Sequence, residues 1–564
     1  MNTRTATRTL IFIGVLVILN IIASFFFFRW DLTSEKRYSI SPQTKKLLKN
    51  LDQEMNVTVY LDGDLNSGFL RLKKATEEML DEFKIYGKKN IVYHFEDPSD
   101  CENDEKRYEN YRRLYEEGFA PIEVNEKDSE GKSIQKIVFP WAKIICGKDT
   151  AKVNLLKKAP GKTGYENLNI SIENLEFELT DAIRSLTQKE IQKIAFLEGH
   201  NELPEIYTYD ITQTLSKYFQ IDRGIIGDDA SVLDPYKVLV IAAPENKFTE
   251  SEKFVIDQYI MNGGRVLWLT DGVKVSMDTI SAYNMSPVLP SDVNLNDQLF
   301  RYGIRVNNTL IEDAQCILIP VAQGSKSGES SVDEYQPTSW YFSPLLQPVA
   351  THPVSRNLNL VKSDFASSID FVGTSHDIKK SILLTTSNYS KALQAPLSIS
   401  LEILDTPIEQ LGLTESNIPV AVALEGKFTS VFKNRMKPKN IITSKEQRNE
   451  SEPTKMIVVA DGDIIRNDIR GTKGNVRPMP LGFDPYTGQE FGNRTFITNA
   501  ILYLADDEGW FTLRSRELKL RMLDKTKTEK NKKNIQMFNI LLPISILLIF
   551  GIGHFWWRRR KFAK

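Results

Sequence analysis

Apolar residues fall along the chain in three patterns: a long uninterrupted block near each end, short runs of about five residues, and one-sided helical stripes between those runs. Residues 10–28 (LIFIGVLVILNIIASFFFF) form 19 positions without a charge, and residues 535–557 (IQMFNILLPISILLIFGIGHFWW) form 23 without Lys, Arg, Asp or Glu. About 20 apolar residues cross a bilayer as a helix, because a helix satisfies its own backbone hydrogen bonds. Both blocks are therefore expected to be membrane spans. The first has bulky phenylalanines at 25–28 where a cleavable signal would need small residues, so it reads as an uncleaved anchor. Two spans put both termini on one side and the intervening region on the other. Lys and Arg flank both ends of both spans, and the RRRK cluster at 558–561 favours a cytoplasmic C-terminus. Asn20, Ser24, Asn539 and Pro543 lie within the blocks as polar or helix-bending residues, with packing against partner helices and tolerated exposure to lipid as the two alternatives.

Between the anchors the pattern alternates strand and helix. Ser41-Pro42 opens a helix to about residue 51, residues 57–61 (VTVYL) read as a strand, 69–86 as an amphipathic helix, 91–95 (IVYHF) as a strand and 102–117 as a charged helix. A hairpin over 138–155 and a helix over 171–186 complete a small N-terminal α/β domain. A second α/β run follows: strand 194–197, helix 209–219, strand 238–242, a helix opened by the Thr249/Glu252 capping box and closed at Gly263, and strand 265–270. That order predicts a doubly wound parallel sheet. Residues 277–449 are less regular, with strands at 381–386 and 420–424 and polar loops at 324–331 and 443–453. Strand 456–460, helix 493–504 and a charged helix 513–524 lead towards the second block.

Composition adds limits. The 564 residues are 41% hydrophobic and 26% charged with net charge −1, which gives no bulk electrostatic case for nucleic acid. At ~150 residues per domain the length allows three or four domains. Cys101, Cys146 and Cys316 are too few and too widely spaced for a zinc ribbon or a disulfide framework, although one disulfide is possible. The charged stretch 514–533 reads as a solvated stalk, with anionic lipid as an alternative contact.

Four strands end in an acid followed by Gly: Asp62, Glu198, Asp271 and Asp461. Strand C-termini of open parallel sheets are ligand sites, so Glu198, His200, Asp271 and Asp461 are the candidate binding-cleft residues. The plainer alternative is that each acid starts a turn, and that Glu198–His200 is a surface turn. No nucleophile–base pair or metal-ligand spacing accompanies them, so no catalytic, metal or cofactor residue is assigned. APGKTG at 159–164 lacks a P-loop's first Gly, Leu156 standing in its place.

Several blocks together resemble the GldG-type accessory proteins of gliding-motility ABC transporters: SISPQTKKLLKNL at 39–51 with VTVYLDGDL, FLEGHNELP at 196–204, LEGKFTSVFKNR at 424–435, VVADGDIIRND at 458–468, the long block 481–509 and LRSRELKLRMLDK at 513–525. The resemblance implies a non-enzymatic, inner-membrane auxiliary subunit in Bacteroidetes-type bacteria, working with a separate ABC permease subunit and ABC ATPase subunit, with its large region in the periplasm. It also implies an amidotransferase-like α/β core. Such enzymes place a Cys at a strand–helix elbow, whereas here strand 238–242 is followed by Ala243-Pro244. The expected organisation is a cytoplasmic N-terminus (1–9), span 10–28, N-terminal periplasmic α/β domain 29–188, auxiliary α/β domain 189–470, juxtamembrane segment with stalk 471–534, span 535–557 and a basic cytoplasmic tail 558–564. The rival expectation is a membrane-tethered periplasmic enzyme or ligand-binding module using the strand-end acids.

Overall fold

Ser41 accepts the Thr44 N–H and Pro42 follows it, so the first helix, α1 (Pro42–Lys49), starts where the sequence signals it. The computed structural model describes residues 40–127, 133–157, 163–187, 191–323, 334–373, 377–443, 445–472, 475–507, 509, 511 and 531–562, together with Gly14. The expected first span apart from Gly14, the stalk helix 513–524, the P-loop-like 159–162 and the loop 324–331 lie outside the described residues.

The N-terminal region is built on a four-stranded sheet. Strand β1 (Met55–Val59) pairs parallel with β2 (Ile91–Phe95) and antiparallel with β3 (Trp141–Cys146), which turns back into β4 (Asp149–Asn154). Helices α2 (Ser67–Gly87) and α4 (Gly164–Thr187) pack on it, and α3 (Asp104–Glu116) follows β2. Val57, Val59, Leu72, Phe83, Ile144 and Leu179 form its core. Cys101, Cys146 and Cys316 are all free thiols.

The larger sheet starts with β5 (Lys193–Glu198), followed by α5 (Tyr209–Leu215), β6 (Gln220–Ile225), β7 (Tyr236–Ala242), α6 (Glu250–Met261) and β8 (Arg265–Leu269). After α7 (Met277–Tyr283) and α8 (Asn296–Tyr302) come β9 (Cys316–Gln323), β10 (Glu334–Pro348), β11 (Ile378–Thr385), β12 (Pro419–Gly426) and β13 (Thr454–Val459), and then α9 (Asn493–Ala505). The spatial order is β9-β10-β11-β12-β13-β8-β7-β5-β6. From β13 to β6 all pairs are parallel, and from β12 to β9 all are antiparallel.

The expected parallel sheet is thus one half of a mixed sheet, and the stretch 277–449 supplies the other half. Strand β12 (PVAVALEG), read from sequence over 420–424, is buried along most of its length because both faces are covered. Strand β6 (QIDRGI), which the sequence reading does not contain, is a half-exposed edge whose charges discourage further pairing.

Residues alternate between the two faces of the parallel half. Val238, Val240, Leu267 and Val459 face α5 and α9 through Ile211, Leu215, Phe496 and Ile501. Leu239, Ile241, Trp268 and Val458 face α6 and α8 through Val255, Ile260 and Leu299. Helices on both faces are what a doubly wound core requires. Helix α9, read from sequence as part of the juxtamembrane segment 471–534, is core to this sheet. Asp257 of α6 is fully buried and accepts from the Tyr302 hydroxyl (2.9 Å), the Ser430 hydroxyl (2.6 Å) and the Val431 N–H (3.0 Å), tying the turn after β12 to two helices.

Helix α10 (Lys532–Phe562) is a separate element, long and apolar enough to cross a membrane, and it contains Pro543. Arg560 lies over the Trp556 ring (5.6 Å) and Lys561 over Trp557 (4.8 Å), grouping ring and cation as at a membrane interface.

Candidate functional site

The parallel strands run β6-β5-β7-β8-β13, so the chain reverses its direction of travel across the sheet between β5 and β7. Ligand crevices in open α/β sheets open beyond the carboxyl ends at such points. The four candidate residues all lie at or beyond these ends, but they divide into two sets.

Glu198 and His200 belong to a scaffold. Glu198 accepts from Arg223 Nε (2.7 Å), and the same guanidinium donates to Thr208 Oγ1 (3.0 Å) and the Leu203 carbonyl (2.8 Å), pinning the loop after β5. His200 corrects the surface-turn reading: it is 4% exposed and stacks on Phe248 at 3.7 Å between ring centroids. Its Nδ1 lies 3.2 Å from Glu202 and its Nε2 3.1 Å from Glu252. Glu252 is also the capping-box acid of α6, accepting from Thr249 N–H (2.8 Å), so the imidazole ties the β5 turn to the start of α6. Burial opposes the imidazolium, but the hydrogen bonds to Glu202 and Glu252 outweigh it and hold the His200 pKa above its ordinary value.

Asp271 and Asp461 are brought together. Strands β8 and β13 are parallel neighbours with Leu269 beside Val459, and each acid lies two residues further on. Asp271 Oδ1 accepts the Gly462 N–H at 2.7 Å. Asp461 is fully buried and accepts from the N–H groups of Asp463 (2.9 Å) and Asp364 (3.0 Å). The glycines that follow serve close approach rather than a positive φ. A Cβ on Gly272 would sit 2.1 Å from the Asn307 carbonyl oxygen, and one on Gly462 would sit 2.6 Å from Ala243 Cβ.

The two acids join a wider charged group. Asp463 accepts from Arg466 (3.3 Å), and Lys362 Nζ lies 3.8 Å from both Asp364 and Asp468. Burial and then the charge of Asp463 push Asp271 up to about 7, although part of its surface remains open. Burial and then Asp271 push Asp461 well above the carboxylate range. Burial also raises Asp463, while Asp364 foremost raises Lys362. Excess carboxylate here is only partly neutralised by Lys362 and Arg466.

A cavity of about 510 Å³ opens beside this group. Its polar wall carries Lys362, Asp364, Asp463, Arg466 and Asp468, with Glu245 and Asp278 also lining it. Glu245 links the two sets, because its N–H bonds the His200 carbonyl (2.9 Å) while the residue lines the cavity. The run DGDIIRND at 461–468 was the signal for Asp463, Arg466 and Asp468. Lys362 and Asp364 follow from a two-residue strand, Val361–Lys362, with no pattern to announce it. Among the described residues no group of three or more His, Cys, Asp or Glu has the arrangement to hold a metal ion.

The turn after β7 is also informative. Ala243 adopts φ 52°, rare for a residue with a Cβ, and its N–H bonds the Leu269 carbonyl (2.9 Å). A strained elbow at a sheet's carboxyl edge is a place where reactive side chains are presented, and here it presents a methyl group.

The fold and cleft define a mixed α/β protein with a charged strand-end pocket. Residues 192–500 match the sequence model of a family described as an ABC-type uncharacterized transport system, more than half of the chain, and the protein belongs to that family. Residues 34–145 match a domain of unknown function, DUF7088. An uncharacterized protein of Borreliella burgdorferi (strain B31) is 24% identical over 580 residues, covering 99% of this chain and 97% of its own. Among solved structures, the mmIFT52 N-terminal domain is similar with TM-score 0.31 and 16% identity over 56% of this chain and 98% of that one. A putative ThuA-like protein from Parabacteroides merdae is similar with TM-score 0.27 and 13% identity over 56% and 90%. The family makes this an auxiliary protein of ABC transport, and α10 associates it with a membrane.

Proposed function

We propose that the protein is a GldG-type, gliding-motility-associated auxiliary subunit, anchored in the inner membrane by spans 10–28 and 535–557. Both termini are cytoplasmic and the large region is periplasmic. It acts without catalysis beside a separate ABC permease subunit and ABC ATPase subunit. The amidotransferase-like reading of the core fits the parallel strand order. The observation that carries the non-catalytic part is Ala243: the elbow beside the cleft holds φ 52° yet bears only a methyl group. Such a site retains a pocket without a nucleophile to react in it.

Purification of the full chain in mild detergent after gentle crosslinking tests this. Recovery of a permease and an ATPase is expected, and recovery of the protein alone overturns the reading. Cysteine labelling at positions between the two spans should require periplasmic access of the reagent.

A second reading, a ligand-binding module, is favoured by the 510 Å³ cavity beside Asp463. The two are compatible, since an auxiliary subunit that handles substrate needs somewhere to hold it.

A further inference from the structure

The cavity has two unlike walls. Ile317, Ile319 and Trp340 come from the antiparallel arm β9–β10 and join Phe365 and Phe483 in an apolar, partly aromatic wall. The polar part of the lining alternates in sign: Lys362 between Asp364 and Asp468, and Arg466 against Asp463. The two Lys362 pairs stand 3.8 Å apart, outside hydrogen-bonding distance. A guest hydroxyl placed there can donate to a carboxylate and accept from the ammonium at once, which neither ion alone offers to its neighbour.

Charge narrows the guest further. With Glu245 and Asp278, the carboxyl groups outnumber the two cations, which opposes an anionic ligand. A simple organic cation meets Lys362 and Arg466 in the middle of the polar wall. A neutral polyol suits both signs, and a sugar ring also presents a C–H face to Phe365 and Phe483, which are only partly buried. The volume of about 510 Å³ accommodates more than one ring.

We propose that this cleft binds a neutral oligosaccharide, with its hydroxyls between Lys362, Asp364 and Asp468 and a ring face against Phe365 and Phe483. The proposal rests on reading the strand-end cavity as a ligand site and adds the class of ligand to it.

The test uses the full chain in detergent on an array of neutral glucose, galactose, mannose and N-acetylglucosamine oligosaccharides, with sialylated, sulfated and polyamine spots alongside. Calorimetric titration with the best-retained glycan follows. Retention on a neutral glycan is expected. Lys362→Met and the rim variant Asp468→Asn should each weaken binding about tenfold, the worth of one hydrogen bond to a charged group, with thermal unfolding unchanged in Asp468→Asn. No retention on any neutral glycan overturns the proposal, as does retention only on the charged spots or equal affinity in both variants. Assembly with permease and ATPase is measured on the same preparations. Intact assembly without glycan binding rejects the ligand class alone, and glycan binding without assembly rejects the subunit reading alone.

Discussion

The backbone N–H of Gly462 donates a 2.7 Å hydrogen bond to Oδ1 of Asp271, locking the turn after β13 onto the turn after β8. The two acids read from sequence as separate strand-end residues are thereby parts of one structure, with Ala243 packed against it.

Gly462→Ala tests how tight that lock is. The added methyl would stand 2.6 Å from both Ala243 Cβ and Asp271 Oδ2, so backbone must shift. Overpacking of this kind costs about 1–3 kcal/mol. A lowered thermal midpoint for the full chain in detergent is the expected result, with an unchanged midpoint showing that the turn yields freely.

Asp271→Asn should change how stability varies with pH. The folded-state pKa of about 7 lies above the ordinary value near 3.8. Protonation therefore favours the folded state, and that stabilisation is present at low pH and lost as pH rises through about 7. The variant, which stays neutral, should gain on the wild type between pH 4 and pH 8, by at most about 1.4 kcal/mol per pH unit. Parallel thermal-unfolding curves across that range would contradict it.

His200→Gln should show the same sign for a base. Its pKa is held above 6.5 by Glu202 and Glu252, so its contribution is complete below pH 6.5 and disappears as pH rises past the folded value. The substitution should cost about 3 kcal/mol at pH 6, the scale of a broken buried charge pair, and less at pH 9. Thermal midpoints of both forms at the two pH values give the comparison.

Asp257→Ala should be among the most damaging single changes. It leaves the Tyr302 and Ser430 hydroxyls and the Val431 N–H without their acceptor in a buried site. A loss of about 3 kcal/mol or more is expected from unsatisfied buried donors. Proteolysis should show the segment around Val431 opening first. Asp257→Asn, which keeps one acceptor oxygen, should lose less.

What was legible in the sequence was local. The capping box of Thr249 and Glu252 and the φ of 90° at Gly263 follow from residues within a few positions of each other. Asp271 and Asp461 could be singled out because each ends an apolar strand. Their adjacency could not be, because it depends on Val266 pairing with Met456 across the chain. Lys362 and Asp364 carry no periodic signal and reach the cleft only through tertiary pairing. His200 looked solvated because EGHNE reads as a polar turn, whereas a Phe248 stack and two glutamates compensate its burial.

The position of β13 also governs when the molecule can take shape. This strand lies in the middle of the sheet, with β8 on one side and β12 on the other, yet it is made after both of them. Until Met456 is available, the parallel half and the antiparallel half have no common strand, and the apolar edges of both stand open. Long-range pairing of this kind is slow and leaves unpaired edges exposed while it waits. A chain stalled or cut before residue 454 would be two unfinished sheets seeking other partners, so quality control of this protein should concentrate on nascent chains that stop short of that point.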